Sequence, residues 1–221
     1  MRRDGIDYWA VPRLWPGATA FVVGGGPSLA GFDWRALAGR KVVAINAAFL
    51  DLPSAPVMCF TDFSFWEANR ERLSWFPGHV CTVSRAAKDR APARIRLIEG
   101  VTSHTGFEID PGQVRRGRST GHLAIGLAVA LGAARIVLLG FDMRNVDGRS
   151  NYHDRYRTAG GAVAETADSL YAREFIAGFN GWRQQADRIG VLIVNATPGS
   201  ALQEFPRTEL GAELAEAAAA A

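Results

Sequence analysis

The stretch Ala18–Leu29, with the sequence A-T-A-F-V-V-G-G-G-P-S-L, decides the fold of this chain. Its apolar first half favours a β-strand, three glycines stop it abruptly, and a helical pattern follows. Glycines at such a junction let a phosphate approach the main chain, at the positive end of the helix dipole. A plain strand-to-helix turn without a ligand is the alternative. The residues predicted to bind the phosphate of a nucleotide are Gly24, Gly25, Gly26, Pro27 and Ser28.

Two common nucleotide-binding motifs are absent from this turn. The dinucleotide motif G-x-G-x-x-G requires a glycine where this chain has Leu29, and the Walker A loop requires a following Gly-Lys-Ser or Gly-Lys-Thr. The turn therefore indicates a phosphate site of another kind.

The composition limits the classes of protein to which the chain can belong. Its 221 residues, 48% of them hydrophobic, suffice for one α/β domain with a substantial core. The 25 basic residues outnumber the 22 acidic ones, and most of the basic residues are scattered arginines. Arginine grips phosphate and carboxylate groups, whereas a basic stripe with interleaved aromatic residues is missing. We therefore expect a small anionic ligand and argue against nucleic acid as a partner.

The two cysteines and the N-terminus indicate the cellular setting. Cys59 and Cys81 each lie in an apolar run, which predicts buried, reduced thiols; a disulfide between neighbouring strands is the less favoured alternative. Two cysteines alone do not make a zinc cluster. The first residues lack an apolar signal core, and no run reaches the ~18 apolar residues of a membrane span. We expect a soluble, cytoplasmic protein without a membrane span.

Strand-like and helix-like segments alternate along the chain. Short apolar runs predict strands at 18–23, 41–45, 57–60, 79–83, 94–98, 135–139 and 191–194. Longer patterns predict helices at 32–37, 63–75, 123–131 and 165–189. This alternation is typical of an α/β, Rossmann-like, doubly wound fold: a mostly parallel sheet with helices on both faces.

The same pass along the sequence predicts the domain organisation. Residues 1–17 form an N-terminal arm, and residues 18–210 form a single Rossmann-like nucleotide-binding domain. Within it, residues 143–164 are expected to be a flexible loop, because they are polar and lack periodicity. The Ala-rich tail at 211–221 is predicted to be a frayed helix or a disordered end.

Polar residues and glycines follow the predicted strands, where ligands bind in such sheets. The strand-end residues are Gly24–Gly26, Asn46, Thr61-Asp62, Gly140-Phe141-Asp142 and Asn195. Each on its own is also a common cap or turn former. Asp62 and Asp142, placed at neighbouring strand ends, are a weak signal for a shared Mg²⁺.

His153 is the candidate general base. It lies in the polar loop N-Y-H-D-R-Y-R at 151–157, where a histidine is expected to meet solvent and ligand, and its ordinary pKa suits proton transfer. Tyr152 and Tyr156 offer hydroxyls to phosphate oxygens. His122 is the rival base, although it stands inside an apolar helix. A solvated loop with incidental aromatic residues is the alternative interpretation.

Four motifs together resemble two related families. They are G-G-G-P-S-L at 24–29, Asn46 after the second strand, Ser119-Thr120-Gly121 before an apolar helix, and I-V-L-L-G-F-D at 136–142. Their order over residues 18–200 is similar to that in the bacterial sialyltransferases of glycosyltransferase family 42. It is also similar to that in the DUF115 family of uncharacterised proteins, which includes archaeal 6-hydroxymethylpterin pyrophosphokinase-like enzymes and many proteins encoded in phages and prophages.

The resemblance to the sialyltransferases implies roles for particular residues. The glycine loop at 24–28 and Asn46 would contact the nucleotide of CMP-sialic acid, and Ser119, Thr120 and Gly121 would hold the donor. His153 would be the general base, and Tyr152 and Tyr156 would steady the leaving phosphate. The chain departs from that family at Gly25, where an asparagine is common. On this route no metal is required.

Three functional hypotheses follow. The leading one is a nucleotide-dependent transferase, namely a sialyltransferase-like glycosyltransferase that uses a CMP-type nucleotide sugar and a small-molecule or glycan acceptor, without a cofactor. The second is a Mg²⁺-dependent pyrophosphokinase for a hydroxymethylpterin-like substrate, with the metal near Asp62 or Asp142. The third is a non-catalytic, phage-associated nucleotide-binding or assembly protein. The sequence leaves a homo-oligomer open.

Overall fold

The fold is known from a computed structural model that describes residues 1–3, 5–102, 107, 112–156 and 166–219. Its centre is a parallel sheet of seven strands. These strands are β3 (Thr19–Val23), β4 (Lys41–Ile45), β5 (Val57–Phe60), β6 (His79–Thr82), β7 (Ile95–Leu97), β10 (Arg135–Leu139) and β11 (Leu192–Asn195). Short pairs lie outside it: β1 (Arg2–Arg3) with β2 (Ile6–Asp7), and β8 (Glu99–Val101) with β9 (Gln113–Arg115).

The strand order explains where a crevice forms. Across the sheet the order is β11-β10-β3-β4-β5-β6-β7, so the chain starts near the middle, runs to one edge and then returns beside β3. The direction of winding therefore reverses between β3 and β10. A crevice opens at such a reversal, at the carboxyl ends of the strands. The Rossmann-like α/β class predicted from the sequence is confirmed, and the seven predicted strands are all present.

Helices and 3₁₀ turns flank the sheet on both faces. The helices are α1 (Phe63–Trp75), α2 (Arg85–Arg90), α3 (Thr120–Ala130), α4 (Asp168–Leu170), α5 (Trp182–Arg188) and α6 (Leu210–Ala219). The 3₁₀ turns are Pro27–Leu29, Trp34–Leu37 and Asn46–Leu50, and a π-helical turn spans Tyr171–Ile176. Helix α3 is apolar nearly all round, and it is accordingly buried from Thr120 to Ala128. It forms the core of one face of the sheet.

The prediction of one long helix at 165–189 is wrong. In its described part the chain forms α4, the π-helical turn and α5, with a break at 179–181. Gly181 has a left-handed φ of 77°, and a side chain on Gly178 would lie 2.7 Å from His122 Nε2. The helix ends because Phe179 packs flat on the His122 ring, with centroids 3.7 Å apart. Tertiary packing here overrides the apolar periodicity.

The C-terminal tail is an ordered helix as far as the structure describes it. In α6, Glu213 is 1% exposed and accepts hydrogen bonds from Arg135 at 2.7 and 2.8 Å. This pair ties the tail to β10. Of the two predicted alternatives, a frayed helix or a disordered end, the described part is a helix. Residues 220–221, and residues 157–164 of the predicted flexible loop, lie outside the described residues. The domain boundaries stay predictions.

The cysteines are buried and reduced, as predicted. Cys59 and Cys81 lie opposite each other on β5 and β6, and both are free. Burial raises the pKa of both thiols, so they are neutral. A helix long and apolar enough to cross a membrane is not found in the described parts of the chain.

Candidate functional site

A cavity of about 500 Å³ opens at the carboxyl edge of the sheet, where β3, β4, β5 and β10 end. Its wall also includes the N-terminus of α3, the loop after β10 and the π-helical turn. The predicted site residues that line it are Gly24, Gly25, Gly26, Asn46, Asp62, Ser119, Thr120, Gly121, Asp142 and Tyr156. Those that do not line it are Pro27, Ser28, Tyr152 and His153. The sequence therefore located the cavity, although the roles of its residues stay predictions.

The three glycines allow the loop after β10 to approach the turn after β3. Gly24 N donates to Leu139 O at 2.8 Å, and Gly26 N donates to Gly140 O at 2.9 Å. A Cβ on Gly24 would lie 2.7 Å from Gly140 O, and one on Gly26 would lie 1.9 Å from Asp142 Oδ2. The intervening N–H of Gly25 has no partner among the described residues. It is thus a donor in the cavity wall that a ligand can use.

Asp142 fastens the glycine turn from the opposite side. Its Oδ1 accepts from Ser28 N at 2.9 Å, and its Oδ2 accepts from Ser28 Oγ at 2.8 Å. Burial raises the pKa of Asp142, and the Ser28 hydrogen bonds oppose that rise. The expectation that Pro27 and Ser28 open a phosphate-binding helix is therefore corrected. The segment is a single 3₁₀ turn, and Asp142 already occupies its donors.

The N-terminus of α3 supplies the dipole that the first turn lacks. Ser119, Thr120 and Gly121 line the cavity, and the N–H groups of Thr120 and Gly121 have no partner in the described part of the chain. Helix α3 has 11 residues, so it carries the partial positive charge of a full helix. Thr61 Oγ1 lies 2.8 Å from Thr120 Oγ1 and donates to Asp62 Oδ2 at 3.1 Å. Helix α3 therefore presents unpaired main-chain donors and the positive end of its dipole to the cavity.

His122 is part of this helix end and not a base. Its Nδ1 accepts from Ser119 N at 3.2 Å, and its ring is fully buried against Phe179 and Trp182. Burial lowers the pKa of His122 to about 3. The ring is therefore neutral and orients the first turn of α3.

Arg118 is a site residue that the sequence analysis missed. It lines the cavity immediately before α3, and its Nη1 lies 2.6 Å from Glu174 Oε2 on the π-helical turn. The side chains are 69% and 37% exposed, so the pair lies at the rim. In the sequence Arg118 is one of several arginines near residue 116. Its position directly before Ser119-Thr120-Gly121 was the available signal.

Asn46 and Tyr156 form the wall at the end of β4. Asn46 has a left-handed φ of 48°, which asparagine tolerates better than most residues, and its buried Oδ1 has no partner among the described residues. The Tyr156 hydroxyl accepts from Ala47 N at 3.2 Å, and burial raises the pKa of Tyr156 to about 12. Asn46 Oδ1 is therefore an acceptor available to a ligand, and Tyr156 is a neutral hydroxyl.

His153 lies behind the glycine turn and not in the cavity wall. It is 8% exposed, and its ring packs between Tyr152 and Tyr156, with centroids 4.7 and 5.0 Å away. The expectation that this histidine meets solvent is therefore wrong. Its Nε2 has no partner among the described residues and lies 4.0 Å from where a Cβ on Gly25 would be. Burial lowers the pKa of His153 to about 4, so the ring is neutral at pH 7.

Two further parts of the wall were also missed. Asn151 Oδ1 would lie 2.8 Å from a Cβ on Gly25, so its amide occupies the space that residue 25 leaves open. Met143, Tyr171 and Phe175 add apolar and aromatic surface to the lining. The loop at 143–156 and the π-helical turn carry these residues, and π-helical turns are frequent at functional sites. The cavity lining thus includes apolar and aromatic residues as well as polar ones.

The carboxylates do not fit a shared Mg²⁺ site. Asp62 follows β5 and Asp142 follows β10, and β3 and β4 lie between these strands. Three strand spacings separate the two positions by about 14 Å. The prediction that they lie at neighbouring strand ends is wrong, and Asp142 is already bound to Ser28. Among the described residues there is no group of three or more His, Cys, Asp or Glu side chains that could hold a metal ion.

The fold and the cavity define an α/β protein of the Rossmann-like class with a cavity at the strand reversal, where such sheets commonly bind ligands. No model of a known protein family matches the chain, and a search of curated proteins finds no match. Among solved structures, the chain is similar to the sialyltransferase CstII from Campylobacter jejuni, described in complex with a substrate analogue, cytidine-5'-monophosphate. The identity is 14% and the TM-score 0.49, over 87% of this chain and 85% of that chain. Membership of the DUF115 family and a phage origin stay predictions.

Proposed function

We propose that this chain is a nucleotide-dependent transferase, and specifically a glycosyltransferase that takes a CMP-activated sugar as donor. The observation that carries the proposal is the set of unpartnered main-chain donors in one cavity wall. Gly25, Thr120 and Gly121 each offer an N–H group there, beside the positive end of α3. Such an arrangement favours a phosphate group.

Arg118 adds the positive charge that a nucleotide phosphate requires. Guanidinium groups bind phosphate with paired hydrogen bonds, and Arg118 stands at the same end of α3. Its present partner, Glu174, lies at the exposed rim, where ion pairs are worth only about 0.2–1 kcal/mol. A phosphate can therefore replace Glu174 at little cost.

Asn46 supports a nucleoside at the end of β4. Its buried Oδ1 accepts nothing from the described residues, so a ligand N–H or hydroxyl would satisfy it. The resemblance of the sequence motifs to the family 42 sialyltransferases supplies the choice of cytidine monophosphate as the nucleotide.

The proposed reaction is the attack of an acceptor hydroxyl on the anomeric carbon of the donor. A carbon–oxygen bond forms to the acceptor while the bond to the nucleotide phosphate breaks, and the leaving phosphate is stabilised by Arg118 and the main-chain donors. His153 is the proposed base, as the motif resemblance implies. Its ring is unprotonated at neutral pH and lies behind the glycine turn, with Nε2 4.0 Å from the Cβ position of Gly25, so the acceptor hydroxyl must reach it past that turn. A nearby phosphate anion would raise the low pKa of His153 and so strengthen it as a base. In this scheme the residues supply the positive charge and no metal is needed.

Ligand-induced stabilisation tests the proposal. CMP without metal should raise the free energy of unfolding, by about 2.7 kcal/mol at 100 times its Kd. Arg118→Ala should weaken CMP binding about tenfold, since it removes the charged partner of the phosphate. Arg183→Ala is the matched control, because Arg183 is a similarly exposed arginine outside the cavity. Equal CMP affinity in both variants would contradict the phosphate site.

The other two hypotheses are outcomes of the same experiment. Stabilisation by ATP with Mg²⁺, and not by CMP, would overturn the glycosyltransferase proposal in favour of the diphosphotransferase. If none of CMP, CDP, ATP and a pterin stabilises the protein against unfolding, the hypothesis of a non-catalytic protein would be favoured. His153→Ala should leave CMP binding intact and abolish transfer; loss of binding would instead make His153 a ligand-holding residue.

A further inference from the structure

One carboxylate holds the segment that carries His153. Asp51, just after the 3₁₀ turn Asn46–Leu50, accepts from the Tyr152 hydroxyl at 2.6 Å. Its two oxygens also bind Arg155 through both terminal nitrogens, at 2.5 and 2.8 Å. Burial alone would raise the pKa of Asp51, but the hydrogen bonds from Arg155 and Tyr152 outweigh it and lower the pKa. Asp51 is therefore an ionised anchor for two residues on either side of His153.

The anchor continues into the cavity wall through Ala47. Arg155 Nη1 donates to Ala47 O at 3.1 Å, and Ala47 N donates to the Tyr156 hydroxyl at 3.2 Å. Both main-chain groups of the residue after Asn46 thus bind the segment. The position of Asn46 and that of the segment are consequently coupled.

The His153 ring itself has little that fixes it directly. Its described polar contact is a long hydrogen bond of 3.4 Å from Arg155 N to Nδ1. The rings of Tyr152 and Tyr156 enclose it edge to face. The orientation of His153 therefore depends on neighbours that Asp51 and Ala47 hold.

We propose that Asp51 is a positioning residue of the transferase: by gripping Tyr152 and Arg155 it fixes the segment Tyr152–Tyr156, and with it His153, against the glycine turn. This inference rests on the proposed function. Asp51 itself does not line the cavity and touches no group that reacts.

Asp51→Asn tests the inference, with Asp33→Asn as the matched control. Asp33 makes the same two-point pair with Arg35, at 2.8 and 3.0 Å, but has no described contact with the segment. The probes are CMP for binding and CMP-N-acetylneuraminic acid for turnover, measured as hydrolysis. In Asp51→Asn, kcat should fall tenfold or more while the Kd of CMP stays within threefold, and Asp51→Glu should recover part of kcat. Asp33→Asn should change neither.

Hydrogen exchange of the peptide spanning 152–156 tests the anchor without turnover. Its amides should exchange at least tenfold faster in Asp51→Asn than in the wild type, and unchanged in Asp33→Asn. Unchanged exchange and kcat would overturn the inference, as would parallel losses of kcat, CMP affinity and Tm, which mark a merely structural role. Failure of the wild type to bind CMP would overturn the proposed function instead, and exchange would still decide the anchor.

Discussion

Gly26→Ala is expected to break the contacts between Asp142 and the glycine turn. The new Cβ would lie 1.9 Å from Asp142 Oδ2 and 2.6 Å from Gly140 O, and real side chains essentially never approach within 3.0 Å. The new methyl group cannot push Gly140 O aside easily, because that atom belongs to the backbone. The Asp142 carboxylate must therefore move away, and both of its hydrogen bonds from Ser28 are lost. Hydrogen bonds to a charged group contribute about 1.5–3 kcal/mol each, so the two together contribute about 3–6 kcal/mol. Single substitutions seldom cost more than about 5 kcal/mol, so we expect a loss of about 3–5 kcal/mol.

Thermal unfolding measures this loss directly. For a chain of this size each kcal/mol moves Tm by about 2–4 °C, so Gly26→Ala should lower Tm by about 6–20 °C. Gly211→Ala is the control, because nothing lies within 4 Å of its Cβ position and it sits in α6. That change should raise stability by up to about 1 kcal/mol. A Gly26→Ala protein as stable as the wild type would refute the close approach of the two turns.

Three further predictions concern charge. Burial lowers the pKa of His122 to about 3 and that of His153 to about 4, so unfolding takes up two protons below about pH 6.5 and this stability is lost as pH falls. Urea titrations from pH 8 to 4.5 should show a slope that reaches about 2.5 kcal/mol per pH unit near pH 5, and His122→Gln should remove about half of it. Glu174→Gln should tighten CMP binding about two- to fivefold by freeing Arg118, as calorimetry would detect. Glu213→Ala should lower the free energy of unfolding by about 1.5–3 kcal/mol in denaturant titrations, because it removes both hydrogen bonds from Arg135 and leaves that side chain only the exposed Glu216 at 3.3 Å; a change below about 0.5 kcal/mol would contradict the tie between α6 and β10.

Most of the fold could be predicted from the sequence because its strands are buried on both faces. After a first basic residue, runs such as 41–45 and 135–139 are apolar and buried to their ends, which is typical of central parallel strands. The helix at 63–75 was predicted with its observed bounds. The break at Gly181 was not, because its cause is the packing of Phe179 on His122, residues 57 positions apart in the chain. Local periodicity carries no information about such a contact.

The site was predictable as a set of strand ends but not as a set of contacts. Asn46 and Gly24–Gly26 follow strands, so position alone found them. Ser28 and Asp142 are 114 residues apart, and Asp51 and Arg155 are 104 apart. Neither pairing can be predicted from a single sequence, since each residue on its own is an ordinary turn former or charged surface residue. Long-range partners therefore decide which predicted donors are free.

The proposal that a phosphate binds at α3 follows from which donors the chain's own carboxylates already occupy. At the first turn, the chain's own Asp142 is 3% exposed and takes both donors of Ser28, so an incoming phosphate would have to displace a buried, covalently tethered rival. At α3 no such rival is present among the described residues, because the N–H groups of Thr120 and Gly121 have no partner. A free phosphate gains most where the donors are already desolvated and unpaired. Phosphate binding should thus depend on α3, whereas Ser28 and Asp142 should contribute mainly to the stability of the turn.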